Sequence, residues 1–534
     1  MAKRSKRKQS PSKAAQEFEA KTAAANAAPA APLWLLILQA AVIVAAVFWI
    51  FWPVRHGGWL MDDNAYVTQN PGLRDPNGLL NIWFMPGSFV EYYPIEESVI
   101  WFIWQFSHDD TYAYHMTNII LHAIGSLLVW RFFSKFGFRW AWLGALLFAV
   151  HPAQVESVAW VSELKNTLSL PPFLLCMCFW LDYEEHKRDS DYMIALSLFL
   201  IAMLCKITMA PFPFIILLYA WWKRGRVGWG DVWAATPFLV ISVVLGITTI
   251  LVGDWYAPGH VLAIKVPTGD FFSRLACAGV SISFYFTHFF IPFRMLPSYP
   301  QWVFNPPTLQ QFLPWPIMIG LFCWFWARRR TWGKHVLLGL GFFLLPLGPF
   351  VGFHDVSFMR FTWVMDHFLY LPIIGLIGLV LAGLEQFDTR LSILEHRWLI
   401  AAISAIIALL TIESHFYAEK FSSLETLWSY EIKYNPEAWL AHNNLGYMLV
   451  QTGRVEQAKE QFEEALRIKP DYSEAHNNLG VALSRIGQLA EAEKQYQAAL
   501  FYNPDYGDAR DNLDKLQAYE QHLQQTKQAT QPMK

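Results

Sequence analysis

The chain has 534 residues, of which 54% are hydrophobic and only 16% charged, and its net charge is −2. Soluble domains average about 25% charged residues, so this composition excludes an ordinary soluble protein and indicates a membrane protein. The near-zero net charge gives no reason to expect a nucleic-acid partner. The 26 tryptophans fit side chains that sit at lipid–water interfaces.

Residues 1–32 begin with a basic run and continue as an Ala/Pro-rich stretch, which predicts a disordered cytoplasmic tail. Leu33 to Pro53 then supplies the ~20 apolar residues that a bilayer-spanning helix needs. Basic residues are enriched on the cytoplasmic side of membranes. We therefore expect the N-terminus in the cytoplasm and the residues after this span on the far side.

Two adjacent carboxylates, Asp62 and Asp63, follow the first span. A solvated turn is the plain explanation for such a pair. The alternative is a catalytic pair at the membrane surface, which requires other polar residues of the chain to meet it there. Asp62 directly follows Trp59-Leu60-Met61, which would fix its height over the bilayer, and it is the preferred candidate of the two.

Eleven further apolar segments predict a polytopic, all-α membrane bundle with about 11–13 spans. They lie near 112–133, 140–152, 166–183, 192–205, 207–222, 233–253, 271–293, 315–327, 335–352, 368–384 and 398–413. Twelve spans would return the C-terminus to the cytoplasm, whereas a cytoplasmic Arg328–Arg330 run places it outside. One segment between 192 and 293 is therefore miscounted.

A polar stretch from His151 to Asn166 separates two of these apolar segments. Glu156 and Glu163 are seven residues apart and share a face if the stretch is helical. Together with Lys165 they are costly at membrane depth unless they face a cavity or the interface. An ordinary connecting loop is the alternative, and a functional role is favoured.

Four more ionisable residues are candidates for binding. Lys206 lies at a predicted helix break, where it serves either a lipid phosphate or a neighbouring carboxylate. Arg360, Asp366 and His367 precede the apolar Phe368–Pro372 stretch. Arg360 suggests an anion, and a snorkelling interfacial cluster is the alternative.

Three polar residues share one face of the helix predicted at 112–133. They are His115, Asn118 and His122, at positions i, i+3 and i+7. A metal site would need a further ligand, so hydrogen bonds to neighbouring helices are the favoured interpretation. No metal ligands are assigned.

From about residue 415 the sequence becomes amphipathic and repeats with a period of 34. His442–Gly446 recurs as His476–Gly480, which is typical of tetratricopeptide (TPR) repeats with two helices each. Repeats at 437–470 and 471–504, with flanking helices, predict a solenoid over 415–525 and a disordered tail over 526–534. The expected packing positions are Ala438, Leu445, Gly446, Ala465, Leu479, Gly480 and Ala499.

Several motifs together with these repeats resemble the transmembrane-and-TPR-repeat O-mannosyltransferase family and its bacterial relatives. The motifs are Trp59-Leu60-Met61-Asp62-Asp63, Tyr114-His115-Met116-Thr117-Asn118, His151-Pro152-Ala153-Gln154-Val155-Glu156-Ser157-Val158-Ala159-Trp160 and Asp366-His367-Phe368-Leu369-Tyr370-Leu371-Pro372. The sequence departs from the family at two positions. Tyr93 stands where the family has an arginine, and His367 stands where a basic residue is expected.

The resemblance implies a GT-C glycosyltransferase fold over 33–414, with a polyprenyl-phosphate sugar as donor. It implies that an acidic residue of the first loop, Asp62 or Asp63, is the base and that the sugar inverts. The residues that would bind substrate are Glu156, Lys165, Lys206, Arg360, Asp366 and His367. No cofactor is firmly implied, and a divalent metal, Mg or Mn, is left open.

We therefore expect a membrane enzyme that moves a sugar, with mannose the first candidate, to a hydroxyl acceptor on the extracytoplasmic side. Ser or Thr of a protein is the expected acceptor, a glycan is the other, and the repeats would bind the acceptor or a partner protein. The expected location is a bacterial inner membrane with periplasmic repeats, or an endoplasmic-reticulum membrane with luminal repeats. The alternative is a non-catalytic membrane scaffold that recruits partners through its repeats.

Overall fold

The described part of the protein is built from α-helices, joined by short turns and by longer segments such as the one between Leu347 and Ile373. The computed structural model describes residues 32–85, 92–256, 266, 269–353 and 355–529, and these residues contain no β-strand. They fall into a membrane unit within Met1–Met295 and Trp302–Phe421, and a repeat unit formed by Leu296–Gln301 and Ser422–Lys534. Most of the tail predicted at 1–32 and the last residues of the tail predicted at 526–534 lie outside the described residues.

The predicted apolar segments are all helical. The helices of the membrane unit are α1 (Leu33–Phe51), α2 (Gly78–Phe84), α3 (Pro94–Ser107), α4 (Tyr112–Lys135), α5 (Ala141–Val150), α6 (Val155–Ala159), α7 (Leu164–His186), α8 (Asp189–Cys205), α9 (Phe212–Arg224), α10 (Trp229–Tyr256), α11 (Phe271–Phe290), α12 (Pro314–Ala327), α13 (Gly333–Leu347), α14 (Ile373–Asp388) and α15 (Ile393–Lys420). The predicted all-α membrane bundle is confirmed.

Six helical stretches among the described residues are long and apolar enough to cross a membrane. They are Leu33–His56, Tyr112–Lys135, Val161–His186, Trp229–Val252, Gly333–Phe350 and Ile393–Lys420. This number is smaller than the expected 11–13. The remaining apolar segments also form helices, but each of them misses the required length or hydropathy.

Close packing of α4 against α7 sets the frame of the candidate site. A Cβ atom added at Gly125 of α4 would lie 3.1 Å from the Leu170 side chain of α7. Small residues let membrane helices approach closely, which gains dispersion contacts that lipid cannot replace. The N-terminal ends of α4 and α7 carry polar residues, including Asn118 and Lys165, so this packing holds those groups at one end of the bundle.

The repeat unit has the predicted helical hairpins. Its helices are α16 (Leu424–Tyr434), α17 (Trp439–Gln451), α18 (Val455–Ile468), α19 (Ser473–Arg485), α20 (Leu489–Tyr502) and α21 (Gly507–Ala529). The helix pairs α17/α18 and α19/α20 are the two predicted repeats, and α21 continues beyond the predicted domain end at residue 525. All seven expected packing positions are buried, so that prediction is confirmed.

One short segment of the repeat unit comes from an earlier part of the chain. Leu296–Gln301 belongs to this unit, although membrane-unit residues precede and follow it. The Ser298 hydroxyl donates to Oε1 of Glu431 in α16, and both side chains are buried. A buried carboxylate is costly without a donor, so this bond fixes the segment within the repeat unit.

The close packing of α19 against α20 can be tested at Gly480. A Cβ atom there would lie 2.6 Å from the Tyr496 ring, so Gly480→Val must push α19 and α20 apart at a cost of about 1–3 kcal/mol. We expect faster amide hydrogen exchange in α19 and α20. The matched control is Gly507→Val, because a Cβ atom at Gly507 has no neighbour within 4 Å. Equal exchange in the two variants would contradict the packing described above.

Candidate functional site

The two adjacent carboxylates of the first loop have opposite environments. Asp63 is fully buried, and its oxygens accept hydrogen bonds from the Leu60 amide at 2.8 Å, the Ser162 amide at 2.8 Å and the Ser162 hydroxyl at 2.5 Å. Asp62 is exposed. A general base must lie within hydrogen-bond reach of the proton it removes. Asp62 is accessible to an incoming molecule, whereas Asp63 is placed to hold the loop against Ser162.

The backbone before the pair has an unusual conformation. Met61 has a φ of 38°, in the left-handed region that residues with a side chain rarely adopt. Such strain costs about 1–3 kcal/mol and persists only where surrounding contacts enforce it. The hydrogen bonds of Asp63 are in a position to enforce this conformation of Met61. In the resulting arrangement Asp63 is buried and Asp62 is exposed.

Burial also changes the acidity of Asp63. Loss of solvent raises the pKa of this carboxyl to about 7, against the lowering effect of the hydrogen bonds from Ser162 and Leu60. Asp63 therefore changes its charge near neutral pH. The exposed Asp62 adds a smaller contribution in the same direction because it has the same charge.

The polar stretch from His151 to Asn166 is not a surface loop. It forms three short helices, at Pro152–Gln154, Val155–Ala159 and Val161–Glu163, and every residue in it is buried. The helical path is interrupted at Trp160, whose backbone is extended. Glu156 and Glu163 nevertheless meet at one point, because both carboxylates contact the same histidine.

That histidine is His367, which lies between the two carboxylates. Its Nδ1 is 2.9 Å from Oε1 of Glu156, and its backbone amide donates to Oε2 of Glu156 at 3.1 Å. Its Nε2 is 3.9 Å from Oε1 of Glu163. The structure thus joins two motifs that are 211 residues apart in the chain.

Glu163 is also the carboxylate that the two lysines of the cluster approach. Lys206 Nζ lies 3.0 Å from Oε2 of Glu163, and the Asn166 side-chain amide donates to the same oxygen at 2.5 Å. Lys165 Nζ is more distant, at 4.0 Å from Oε1. Lys206 is therefore a close partner of a carboxylate, which was one of its two predicted roles.

Lys165 is the cation placed best for a second partner. Its ammonium group lies over the ring of Tyr66, 5.1 Å from the ring centre, and 6.0 Å from the ring centre of Tyr93. Cation–π contacts stabilise a buried ammonium without neutralising its charge. Tyr93 stands where the family has an arginine, so in this chain a positive charge is supplied beside position 93 by Lys165.

Two predicted site residues remain: Asp366 lies beside the cluster, and Arg360 does not. Asp366 is fully buried next to His367 and acts electrostatically on the Tyr285 hydroxyl, as Glu156 does. Arg360 is half-buried, and its Nε donates to the Ser357 carbonyl of its own turn at 3.1 Å. The described contacts do not connect Arg360 to the cluster.

Two of the three polar residues on one face of α4, Asn118 and His122, make the hydrogen bonds that were favoured for them. Asn118 donates to the Trp160 carbonyl at 3.1 Å, and the ring nitrogens of His122 contact the Tyr370 hydroxyl at 3.0 Å and the Ala149 carbonyl at 3.1 Å. Among the described residues, no group of three His, Cys, Asp or Glu side chains is arranged to hold a metal ion. The expectation of Mg or Mn stays a prediction.

Sequence reasoning missed several residues of this region. Ser162 and Asn166 were treated as part of a loop, although they bind Asp63 and Glu163. Glu96 and Glu97, in the first turn of α3, are buried as well. A signal for the last two was present, because a proline followed by acidic residues is typical of a helix N-terminus and not of an extended loop.

Comparisons with known proteins agree with this architecture. Residues 94–251 match the family model described as dolichyl-phosphate-mannose-protein mannosyltransferase, and residues 446–487 and 473–506 match tetratricopeptide repeat models. The mannosyltransferase match covers α3 to α10 and includes Glu156, Glu163, Lys165 and Lys206.

Relatives with similar sequences carry related names. The chain is 24% identical over 530 residues to the Drosophila melanogaster Protein O-mannosyl-transferase Tmtc3, covering 82% of this chain and 55% of that protein. It is 24% identical over 492 residues to the Mus musculus Protein O-mannosyl-transferase TMTC3, covering 81% and 51%. The chain thus spans about half the length of the curated relatives it matches.

A buried ionic site at one end of a membrane helix bundle, together with these matches, supports a membrane glycosyltransferase. A mannosyltransferase domain followed by tetratricopeptide repeats, with relatives named O-mannosyl-transferases, matches the transmembrane-and-TPR-repeat O-mannosyltransferase family.

The raised pKa of Asp63 predicts a pH-dependent stability. Between pH 4 and 7 the folded protein keeps a proton on Asp63 that the unfolded chain has released, so this contribution to stability falls as pH rises and levels off above about pH 7. We expect the thermal midpoint of the wild type, relative to Asp63→Asn, to fall from pH 5 to pH 8. The control Asp110→Asn alters an exposed carboxyl. A midpoint difference for Asp63→Asn that does not change with pH would contradict the assignment.

Proposed function

We propose that the protein transfers mannose from a polyprenyl-phosphate donor to a hydroxyl group, with Ser or Thr of a protein as the acceptor. One observation carries the proposal: Asp62 is exposed beside the buried Asp63, and Ser162 links Asp63 to the chain segment that contains Glu163 and Lys165. A candidate base and a candidate phosphate-binding cation therefore lie on connected elements. The matched family model is described by the same donor and acceptor chemistry.

In the proposed reaction Asp62 acts as the general base. Its carboxylate takes the proton of the acceptor hydroxyl while the hydroxyl oxygen forms a bond to the anomeric carbon. The bond from that carbon to the phosphate oxygen breaks, and its electron pair leaves with the polyprenyl phosphate. Attack opposite the leaving group inverts the anomeric carbon, as the family resemblance implies.

The leaving phosphate gains negative charge and needs a cation close to it. Lys165 is the candidate, because its ammonium group lies in the same cluster as Glu163, at 4.0 Å, and over the ring of Tyr66 in the first loop. Lys206 is 3.0 Å from Glu163 and would hold that carboxylate in place. Glu156, Asp366 and His367 would complete the donor site around them. Arg360 has no role in the proposed reaction, and the proposed steps do not involve a metal ion.

The sidedness of the site follows from the positions of the basic turns, if α11 does not cross the membrane. Both halves of α11 contact the same connecting segment between α13 and α14: Arg274 binds Asp355 at 3.0 Å, and the Tyr285 hydroxyl accepts from the Met365 amide at 3.1 Å. The two contact residues of α11 are about 16 Å apart along the helix, so one connecting segment can reach both of them if α11 and that segment lie on the same side of the membrane. We infer that α11 is the miscounted segment.

Eleven apolar helices remain if α11 is left out. If each of them crosses the membrane, the basic turns named next all lie on the same side of it. The turns follow α4, α7, α9, α12 and α14 and contain Lys135, Lys187, Arg224, Arg328 and Arg390. The positive-inside rule assigns this side to the cytoplasm. The acidic pair and the repeats would then be extracytoplasmic, in a bacterial periplasm or in the lumen of the endoplasmic reticulum.

The role of Asp62 is tested by Asp62→Asn, which keeps the size of the side chain and removes its proton affinity. We expect mannosyl transfer to a protein acceptor to fall roughly 10²–10⁴-fold, the usual contribution of a general base. Donor binding should persist, because Asp62 is exposed and carries little packing. Asp110→Asn serves again as the control. Wild-type transfer by both Asp62→Asn and Asp63→Asn would show that the acidic pair is only a turn and that another residue is the base.

The proposed sidedness is tested by fusing reporters after residue 520, within α21. Alkaline phosphatase, which folds only outside the cytoplasm, should be active there. The same reporter placed after Arg226, in the turn between α9 and α10, should be inactive, because that turn is assigned to the cytoplasm. Inactive reporters at both positions would reject the inferred path of α11 and, with it, the repeats as an acceptor-binding module.

A further inference from the structure

An apolar cavity lies in the membrane unit, toward the end opposite the candidate site. It has a volume of about 660 Å³ and is lined almost entirely by aromatic and aliphatic side chains of α4, α7, α9, α13 and α14. Pockets of roughly 300–1,000 Å³ are large enough to bury most of a small ligand. The wall on α9 is continuous along one helix face, formed by Phe212, Ile215, Ile216, Tyr219 and Trp222.

This cavity is distinct from the candidate active site. Asn118 and Phe132 both belong to α4, the first near the site and the second on the cavity wall. Fourteen residues separate them, which is about 21 Å along the helix. Lys165 and Met177 of α7 are separated in the same direction by about 18 Å. Phe132 and Met177 of the cavity wall therefore lie toward the basic turns and away from the acidic pair.

Two lysines lie against aromatic side chains of the cavity wall. Lys334 Nζ contacts the Trp222 carbonyl at 3.4 Å and lies over the Trp222 ring, while Lys223 Nζ is 5.8 Å from the Tyr219 ring centre. Within the described part of the chain, neither lysine has a carboxylate oxygen within 4.0 Å. Their neighbours differ in this respect, because Lys135 is paired with Asp182, and Arg224 with Glu184 and Asp231.

The wall also contains a few polar groups, but these are already engaged. His335 Nδ1 is 3.0 Å from the Trp222 indole nitrogen. Glu385, the carboxylate at the edge of the wall, accepts from the Arg139 amide at 2.5 Å. The cavity therefore offers apolar surface inside and two lysines against its aromatic wall, which is the complement of an anionic lipid.

We propose that this cavity binds one chain of an anionic membrane phospholipid, with the phosphate held by Lys223 and Lys334. An acyl chain matches the aromatic and aliphatic wall, and basic pockets between membrane helices are known to hold anionic head groups. Because α4, α7 and α9 run from this cavity to the candidate site, an occupied cavity fixes the packing of the same helices that carry Asn118 and Lys165. The lipid would act as a structural ligand of the bundle.

The test uses the full-length protein in phosphatidylcholine nanodiscs that contain a trace of photoactivatable lipid. The diazirine is placed in the acyl chain of either phosphatidylglycerol or phosphatidylcholine, and labelled peptides are mapped by mass spectrometry. We expect phosphatidylglycerol to label the wall segments of α9, α13 and α14. Lys223→Gln together with Lys334→Gln should lower this labelling about tenfold, toward the phosphatidylcholine level.

A second variant fills the cavity. Gly383 lies on its wall, and a Cβ atom there has no neighbour within 4 Å, so Gly383→Leu adds volume inside without a backbone clash and with better helix propensity. It should abolish wall labelling. The matched control is Gly246→Leu in α10, which also has no neighbour within 4 Å and does not line the cavity. Its labelling should equal that of the wild type.

Three results would overturn the proposal. Equal wall labelling by phosphatidylglycerol and phosphatidylcholine would remove the role of the lysines. Unchanged labelling of Gly383→Leu, with Gly246→Leu as reference, would show that the lipid binds elsewhere. Displacement of the label by polyprenyl phosphate at a concentration where unlabelled phosphatidylglycerol has no effect would assign the cavity to the sugar donor.

Discussion

The hydrogen bonds between Asp63 and Ser162 are the contact on which the candidate site depends. They join residues 99 positions apart and fix the first loop to a segment that is buried along its whole length. That segment carries Glu156 and Glu163, which in turn hold His367 and Lys206. A buried carboxylate without donors would be strongly destabilising, so this loop is held in one arrangement and not left free at the membrane surface.

The charges of the membrane unit are separated along the helix axes. Carboxylates, lysines and a histidine are buried at the N-terminal ends of α4 and α7, where each has a partner. The opposite ends carry turns rich in lysine and arginine, several of which are paired with acidic residues. A low-dielectric bundle tolerates buried charge only where it is compensated, and at the site Lys206 and Lys165 compensate Glu163.

Much of the fold could be predicted from the sequence, because helices and repeats have a periodic signal. The 34-residue period identified the repeats, and apolar runs located the membrane helices. The site was less accessible. The motifs that contain Glu156, Glu163 and His367 were found, but their meeting point depends on tertiary packing. The pairing of Lys206 with Glu163 and the isolation of Arg360 depend on it equally. The apolar pattern of α11 resembles that of a spanning helix, and only its contacts at both ends argue otherwise.

The segment Leu296–Gln301 has a consequence for the order of biosynthesis. Ser298 leaves the ribosome 133 residues before Glu431, its partner inside the repeat unit. The helices α12 to α15 are synthesised in the interval. The Ser298–Glu431 hydrogen bond can therefore form only after these membrane helices have been made. The repeat unit thus cannot reach its final structure as an independently translated module.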